Sequence, residues 1–382
     1  MKPVLFHLQH LFGSGHIQRI RGLAETLAKS GYPVALMSGG REHPALSDPS
    51  IRLFKLPGIT AGAGLGEIVD LDGNPVSDSL WEQRSSLVRK ILLELEPAVI
   101  ITEGFPFARR RFSGEMLEML DAARTTLLEP PIVLCSVRDI IQPIERTDRQ
   151  TQVIRMLNKY YDEVVVHGER SFVSLETSFG RLSEIEIPIS HTGYLDAGSM
   201  DFQTTVKNPQ LVVVSAGGGI AGQAIYEAAI EAASTTRGTV WKWHILIGGA
   251  VDEDALLRWQ KNSPDHVTVE RNRDDFRQLL ASCAVSVSQI GYNTMIDLVQ
   301  TGTRGVVIPY EADEEKEQTM RANALMQFDH VKVLRESDLS AETLMNAITQ
   351  GISENKAPVS PFRADGAERF LSKIDSIYPM SA

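Results

Sequence analysis

SVSQIGYNTMIDLVQTGTRGVVIPYEADEEKEQTMRANAL, residues 286–325, reads as strand, turn, helix, strand, loop, helix. With Val285 in front, the valines of VSVS mark a short strand for a parallel sheet. Gly291, Tyr292, Asn293 and Thr294 form the turn, and Met295 to Gln300 a short helix that Gly302 closes. Arg304 to Pro309 is the next strand. Lys316 to Met326 is a helix opening with Glu317 and Gln318. The turn offers a hydroxyl, an amide and backbone N–H groups at a helix N-terminus, which suits an anion. Asp297, further along the helix, suits ribose hydroxyls, and Glu317 with Gln318 suits a polyol. The plainer alternative is a βαβα unit with ordinary polar loops. Against it, the three placements converge on one sheet edge, where open α/β folds bind ligands.

Working outward, 382 residues suit two domains, and 43% hydrophobic content suffices for full cores. The formal charge of −11 argues against nucleic acid as a partner. Cys135 and Cys283 lie in apolar segments and read as reduced core residues of a cytoplasmic protein. No Cys/His spacing suggests zinc, so the metal expectation is none. The chain opens directly on a strand, KPVLFHL, without a signal peptide, and no apolar run reaches transmembrane length.

The opening segment is a βαβ unit: VLFHL, a turn at Gly13, Ser14 and Gly15, a helix from His16 to Lys29 ending at Gly31, then YPVALMS. A dinucleotide fingerprint needs a third glycine and an acid after the second strand; neither is here, so no nicotinamide cofactor is expected. In GSGHIQR the glycines let a substrate approach the backbone. A histidine at a helix N-terminus stays neutral near pH 7 and can accept a proton. The alternative for His16 is a cap on its own helix. Arg19 and Arg21 read either as phosphate contacts or as solvated charges.

Residues 41–82 read as loop-rich, either closing over an acceptor or forming a disordered insertion. PAVIITEGFPF is a strand ending at Glu103, a carboxylate placed to face the first glycine turn. The following Arg109, Arg110 and Arg111 read as a solvated charge run, with an anionic acceptor as the other reading. PIVLCSVRDII ends at Arg138 and Asp139, a local ion pair or acceptor-side groups. YYDEVVVHGER is a strand, and residues 195–209 read as the linker. The second domain repeats the opening pattern: QLVVVSAGGGIAGQ places Ser215, Gly217, Gly218 and Gly219 to present amides to a diphosphate.

These motifs carry a resemblance. The 286–325 stretch resembles the nucleotide-sugar half of GT-B glycosyltransferases, close to the N-acetylglucosaminyltransferases that make lipid II. There a G-x-x-T-x-x-[ED] turn-helix holds base and ribose, matching Gly291, Thr294 and Asp297. A [DE]Q pair holds the sugar, matching Glu317 and Gln318. GSGHIQR resembles the G-x-G-H-x-x-R entry of the same group, and of nucleotide-sugar hydrolases. There an acid at a position like that of Glu103 orients the histidine. The resemblance also places a nucleobase near Arg271 and Asn272 at the end of HVTVERN, and makes FRADGAERFLSKIDSI a tail helix that crosses back.

The resemblance implies an α/β GT-B fold: an acceptor domain over 1–195, a donor domain over 208–360, and a crossover tail over 361–382, with the two domains facing across a cleft. It implies a glycosyltransferase moving a sugar from a nucleotide-sugar, UDP favoured, to a hydroxyl. It implies inversion, no metal or other cofactor, and His16 as general base with Glu103. Gly13, Ser14, Gly15, Arg19 and Arg138 fall on the acceptor side. The acceptor stays open: a small molecule, a lipid-linked group or a protein, with peripheral membrane contact through the first domain allowed. Two alternatives remain, a nucleotide-sugar hydrolase or 2-epimerase, and a non-catalytic nucleotide-sugar-binding protein.

Overall fold

The structure, a computed structural model, describes residues 1–11, 15–62, 67–196, 205–217, 222–249, 251–312, 316–353 and 362–380. The chain divides into two compact units, Met1–Ala197 with Arg363–Ala382, and Gly198–Phe362.

Unit 1 contains strands β1 Val4–Leu8, β2 Val34–Ser38, β3 Ile51–Lys55, β4 Ile59–Ala61, β5 Ile68–Asp70, β6 Val99–Glu103, β7 Ile132–Arg138, β8 Glu163–His167 and β9 Ile189–His191. Helices α1 Gly15–Lys29, α2 Asp78–Leu95, α3 Ser113–Thr125 and α4 Thr147–Tyr160 connect them. Among the described residues the sheet runs β3-β2-β1-β6-β7-β8-β9, all parallel, with β4 and β5 as a separate antiparallel hairpin. VLFHL, VIITE and EVVVH are buried at every position, the signature of strands covered on both faces. That burial takes polar members inside with them: His7, Glu103 and Glu163. On α1, Ile17, Ile20, Leu23 and Leu27 form the inward stripe against Val4, Phe6 and Leu8. Gly31, at φ 93°, ends the helix as expected.

The loop-rich reading of residues 41–82 is corrected. IRLFK is β3, the edge strand paired with β2, and ITA with IVD makes the hairpin. An edge strand needs little burial, and only Ile51 of β3 is buried, so its pattern carried no signal. Residues 63–66, at the centre of the proposed acceptor-closing loop, lie outside the described residues. Helix α4, with its amphipathic Val153, Ile154 and Leu157, was not foreseen.

Unit 2 repeats the plan with β10 Leu211–Ser215, β11 Lys242–Ile247, β12 Val267–Arg271, β13 Val285–Ser288, β14 Gly305–Val307 and β15 Val331–Val333. Its helices are α5 Gln223–Ser234, α6 Glu253–Asn262, α7 Phe276–Ser282, α8 Tyr292–Thr301, α9 Glu317–Leu325 and α10 Ala341–Ser353. The order is β12-β11-β10-β13-β14-β15, all parallel. Helix α8 starts three residues earlier than the sequence suggested: Gly291 takes the extended cap position, so Asn293 and Thr294 lie in the first turn. Gly302, at φ 60°, closes it.

The tail helix, α11 Gly366–Ile377, belongs to unit 1. Phe370 and Ile374 are fully buried in the same core as Ile17 and Ile20. Tyr32 donates to the Tyr378 carbonyl at 2.9 Å, and Lys373 pairs with Glu163 at 2.6 Å. The chain therefore returns to its first unit after the second.

Candidate functional site

Each sheet has one switch point, where successive crossovers leave in opposite directions. In unit 1 it lies between β1 and β6, and in unit 2 between β10 and β13. Crevices at such points are where open α/β sheets bind ligands. Both motifs singled out in the sequence open onto them.

In unit 1, α1 begins just beyond β1 and presents His16, while β6 ends at Glu103. His16 Nδ1 lies 2.7 Å from Glu103 Oε1. The Glu103 side chain is 1% exposed, whereas the imidazole remains 22% exposed. Arg19, one turn after His16, donates to the same Oε1. Arg19 Nη2 also lies 3.1 Å from His16 Nδ1. A carboxylate only accepts, so Nδ1 carries the proton given to Glu103 and cannot also accept from Arg19. That fixes the tautomer: Nε2 holds the lone pair, and it has no hydrogen bond among the described residues. Burial lowers the His16 pKa to about 4, Glu103 opposing and Arg109 and Arg19 adding to the fall. Burial works to raise the Glu103 carboxyl. His16 and Arg19, with Arg109 behind them, outweigh it and hold the group well below the usual carboxylate range. The result is a neutral imidazole backed by an ionised, buried carboxylate, an arrangement suited to taking up a proton.

Gly15 is the first residue of α1. Gly13 and Ser14 lie outside the described residues. Arg138 ends β7, half-buried. Asp139 is fully buried, accepting from the Tyr194 hydroxyl at 3.1 Å and the Ile140 amide at 2.9 Å. Behind the site His167 is held between Ser136 Oγ at 2.9 Å and Thr192 Oγ1 at 2.8 Å, a structural placement.

In unit 2, Ser215 ends β10 beside Ser288 of β13. Gly217 has φ 70°, a backbone position that favours glycine. Gly218 and Gly219 lie outside the described residues. Gly291 caps α8, and the first bond within that helix runs from Met295 N–H to the Gly291 carbonyl at 3.0 Å. The switch point thus gathers Ser215, Gly217, Gly291, Asn293 and Thr294. Asp297, one turn into α8, pairs with Arg277 of α7, Oδ1 to Nε at 3.1 Å. Arg277 was missed in the sequence: it lies in a helix whose apolar positions gave the reading.

Two sets of expected contact residues have partners within unit 2 itself. Arg271 is held by its own loop. It donates to the carbonyls of Gly248 at 3.0 Å and Val251 at 2.8 Å and pairs with Glu253 at 2.6 Å, pinning the loop between β11 and α6. The Asn272 amide continues that ladder to Ile247, at 3.2 Å, and its side chain is exposed. Glu317 and Gln318 are adjacent on α9, so their side chains leave the helix about 100° apart. Glu317 is buried and pairs with the fully buried Arg321 at 2.9 Å. Gln318 Oε1 accepts from the Ile290 amide at 3.1 Å and the Tyr310 amide at 3.2 Å, tying the β13–α8 turn to the end of β14. Among the described residues no group of three or more His, Cys, Asp or Glu converges as a metal site.

Residues 211–376 match the glycosyltransferase family 28 C-terminal domain. Among curated relatives, a UDP-N-acetylglucosamine–N-acetylmuramyl-(pentapeptide) pyrophosphoryl-undecaprenol N-acetylglucosamine transferase of an Exiguobacterium species is 27% identical over 173 residues, 45% of this chain and 47% of that protein. The same-named transferase of Bacillus cytotoxicus is 25% identical over 205 residues, 51% and 54% of the two chains. The chain thus spans about half the length of the curated relatives it matches. Among solved structures, MurG of Acinetobacter baumannii has a TM-score of 0.59 at 13% identity, covering 98% of this chain and 99% of that one. The calicheamicin glycosyltransferase has a TM-score of 0.60 at 14% identity, covering 97% and 94%. The chain has the GT-B fold of these solved glycosyltransferases, and its residues 211–376 match the glycosyltransferase family 28 C-terminal domain.

Proposed function

We propose that the protein is a glycosyltransferase that moves a sugar from a nucleotide-sugar to an acceptor hydroxyl, with inversion and without a metal. The observation that carries this reading is the hydrogen bond between His16 and Glu103 at the switch point of unit 1. In this mechanism His16 Nε2 takes the hydroxyl proton as the acceptor oxygen attacks the anomeric carbon. Glu103 stabilises the imidazolium that forms. The bond from the anomeric carbon to the diphosphate breaks, and the diphosphate leaves with the electron pair. Backbone amides at Gly217 and along Gly291–Thr294 stabilise that charge where a metal would otherwise act. A single displacement inverts the anomeric centre.

The donor half belongs to unit 2, with Asp297 toward the ribose and Gln318 framing the turn before α8. UDP is favoured because curated relatives of the chain carry UDP-N-acetylglucosamine in their names. The reading places the protein in the cytoplasm. No helix among the described residues is long and apolar enough to cross a membrane, and both cysteines are buried free thiols. A thermal-shift screen of UDP, GDP and TDP sugars tests the donor, because a ligand that binds only the folded state raises its apparent stability. If none of them raises the melting temperature, the donor reading fails. Free sugar released at the parent rate without any acceptor would favour hydrolysis instead.

A further inference from the structure

Arg109 behaves unlike the two arginines that follow it. Arg110 and Arg111 are exposed, as a solvated run should be, whereas the Arg109 side chain is only 15% exposed. Its backbone sits in the left-handed region, φ 62° and ψ 26°, which a non-glycine residue seldom adopts. There the guanidinium stops short of its nearest acceptor: Nη2 is 3.7 Å from Glu103 Oε2, beyond hydrogen-bond distance. Arg109 Nε and Nη2 are buried without a hydrogen-bond partner among the described residues, and so is Glu103 Oε2. The other carboxylate oxygen is already taken by His16 and Arg19.

Glu103 is shared between two guanidinium groups, Arg19 and Arg109. Burial lowers the Arg109 pKa, Glu103 opposes, and Arg138 and Arg19 lower it further. Buried N–H donors without an acceptor are costly, and a planar fork of such donors matches a carboxylate or phosphate.

We infer that Arg109 anchors an anionic group of the acceptor, a carboxylate or a phosphate, beside the hydroxyl that His16 deprotonates. The assignment rests on the proposed role of His16. It also accounts for how the base gains strength. With a pKa of about 4, His16 is a weak base at neutral pH, and the Arg109 field is one reason. An anion on Arg109 offsets that field and lifts His16 toward the working range, so the base strengthens only when the right acceptor is seated.

The test follows the His16 imidazole by NMR through an acid titration of the full-length protein, alone, with inorganic phosphate, and with acetate. One of the two anions should raise the His16 pKa by about 1 unit, and which one identifies the acceptor group. In Arg109→Gln the starting value should already be higher and the anion response gone. Arg109→Lys keeps the charge without the fork and should need more of the anion for the same shift. No response to either anion in the parent protein, or an undiminished response in Arg109→Gln, overturns the assignment. The parent titration decides even if a variant fails to fold. UDP-induced stabilisation is measured in parallel. An anion response without it sinks the transferase reading and leaves the anion site, and the reverse result sinks the anion site alone.

Discussion

His16 and Glu103 are 87 residues apart in sequence and 2.7 Å apart in space. The topology makes the meeting. After β1 the chain forms α1, which carries His16, builds β2 and β3 on one side, and returns to lay β6 against the other side of β1. Register sets His7 of β1 opposite Thr102 of β6, so the residue after Thr102 comes out level with the end of β1. An acid at the end of β6 therefore faces the start of α1.

His16→Ala should leave nucleotide binding in unit 2 unchanged while kcat falls about 10²–10⁴-fold, the usual contribution of a general base. The melting temperature should stay near that of the parent, since Arg19 still pairs with Glu103. Steady-state kinetics beside a UDP titration make the check. Donor turnover within a few-fold of the parent would place the base elsewhere.

Glu103→Gln should be the more damaging change to the fold. It removes the carboxylate that Arg19 and Arg109 share, and breaking a buried ion pair costs about 3–5 kcal/mol. Chemical denaturation of His16→Ala and Glu103→Gln side by side checks the ranking. Equal stability of the two variants would mean that the carboxylate is not the anchor of the cluster.

What the sequence carried and what it hid have physical reasons. Strands buried on both faces, such as VLFHL, VIITE and LVVVS, are unbroken apolar runs and stand out. IRLFK, an edge strand with one buried residue, does not, and neither did α4, whose mean composition is polar. Residues that end strands, such as Glu103 and Ser215, were placed by strand length alone. What a charged side chain touches was not legible. Arg271 is spent on loop carbonyls, Glu317 on Arg321, and Arg109 turns inward from a run that reads as solvated. Those outcomes depend on residues brought from elsewhere in the fold.

UDP should stabilise the protein, and Asp297→Ala should abolish most of that effect, because a charge-assisted hydrogen bond to the ribose is worth about 1.5–3 kcal/mol. The pairing with Arg277 calls for a control. Arg277→Gln removes the ion pair but keeps the carboxylate, so it should retain UDP stabilisation. Loss of equal size in both variants would mean that the pair holds α7 against α8 and does not meet the ribose.

Gln318→Ala should weaken UDP and a UDP-sugar together, since its carbonyl ties the Ile290 and Tyr310 amides that frame the switch point. Two backbone amides would lose their acceptor, at about 1 kcal/mol each. Isothermal titration with both ligands decides. A loss confined to the UDP-sugar would show that the side chain reads the sugar and not the loops.

Acid should destabilise unit 1 before its carboxylates titrate. Burial lowers the pKa of His167 to about 3 from an ordinary 6.5, with the Arg19 field adding and Glu103 opposing. His16 falls to about 4. Both folded values lie below the unfolded one, so between them and about pH 6.5 the unfolded chain binds more protons and stability drops as pH falls. Each such histidine contributes a slope of up to about 1.4 kcal/mol per pH unit. His167→Gln loses some stability at neutral pH, where the ring joins Ser136 to Thr192. Its stability should nonetheless depend on pH less steeply than the parent's, by up to one proton. Urea denaturation across the acid range measures both slopes. An unchanged slope in the variant would mean that the folded protein admits a charged imidazole between those two hydroxyls, which burial on every side of His167 opposes.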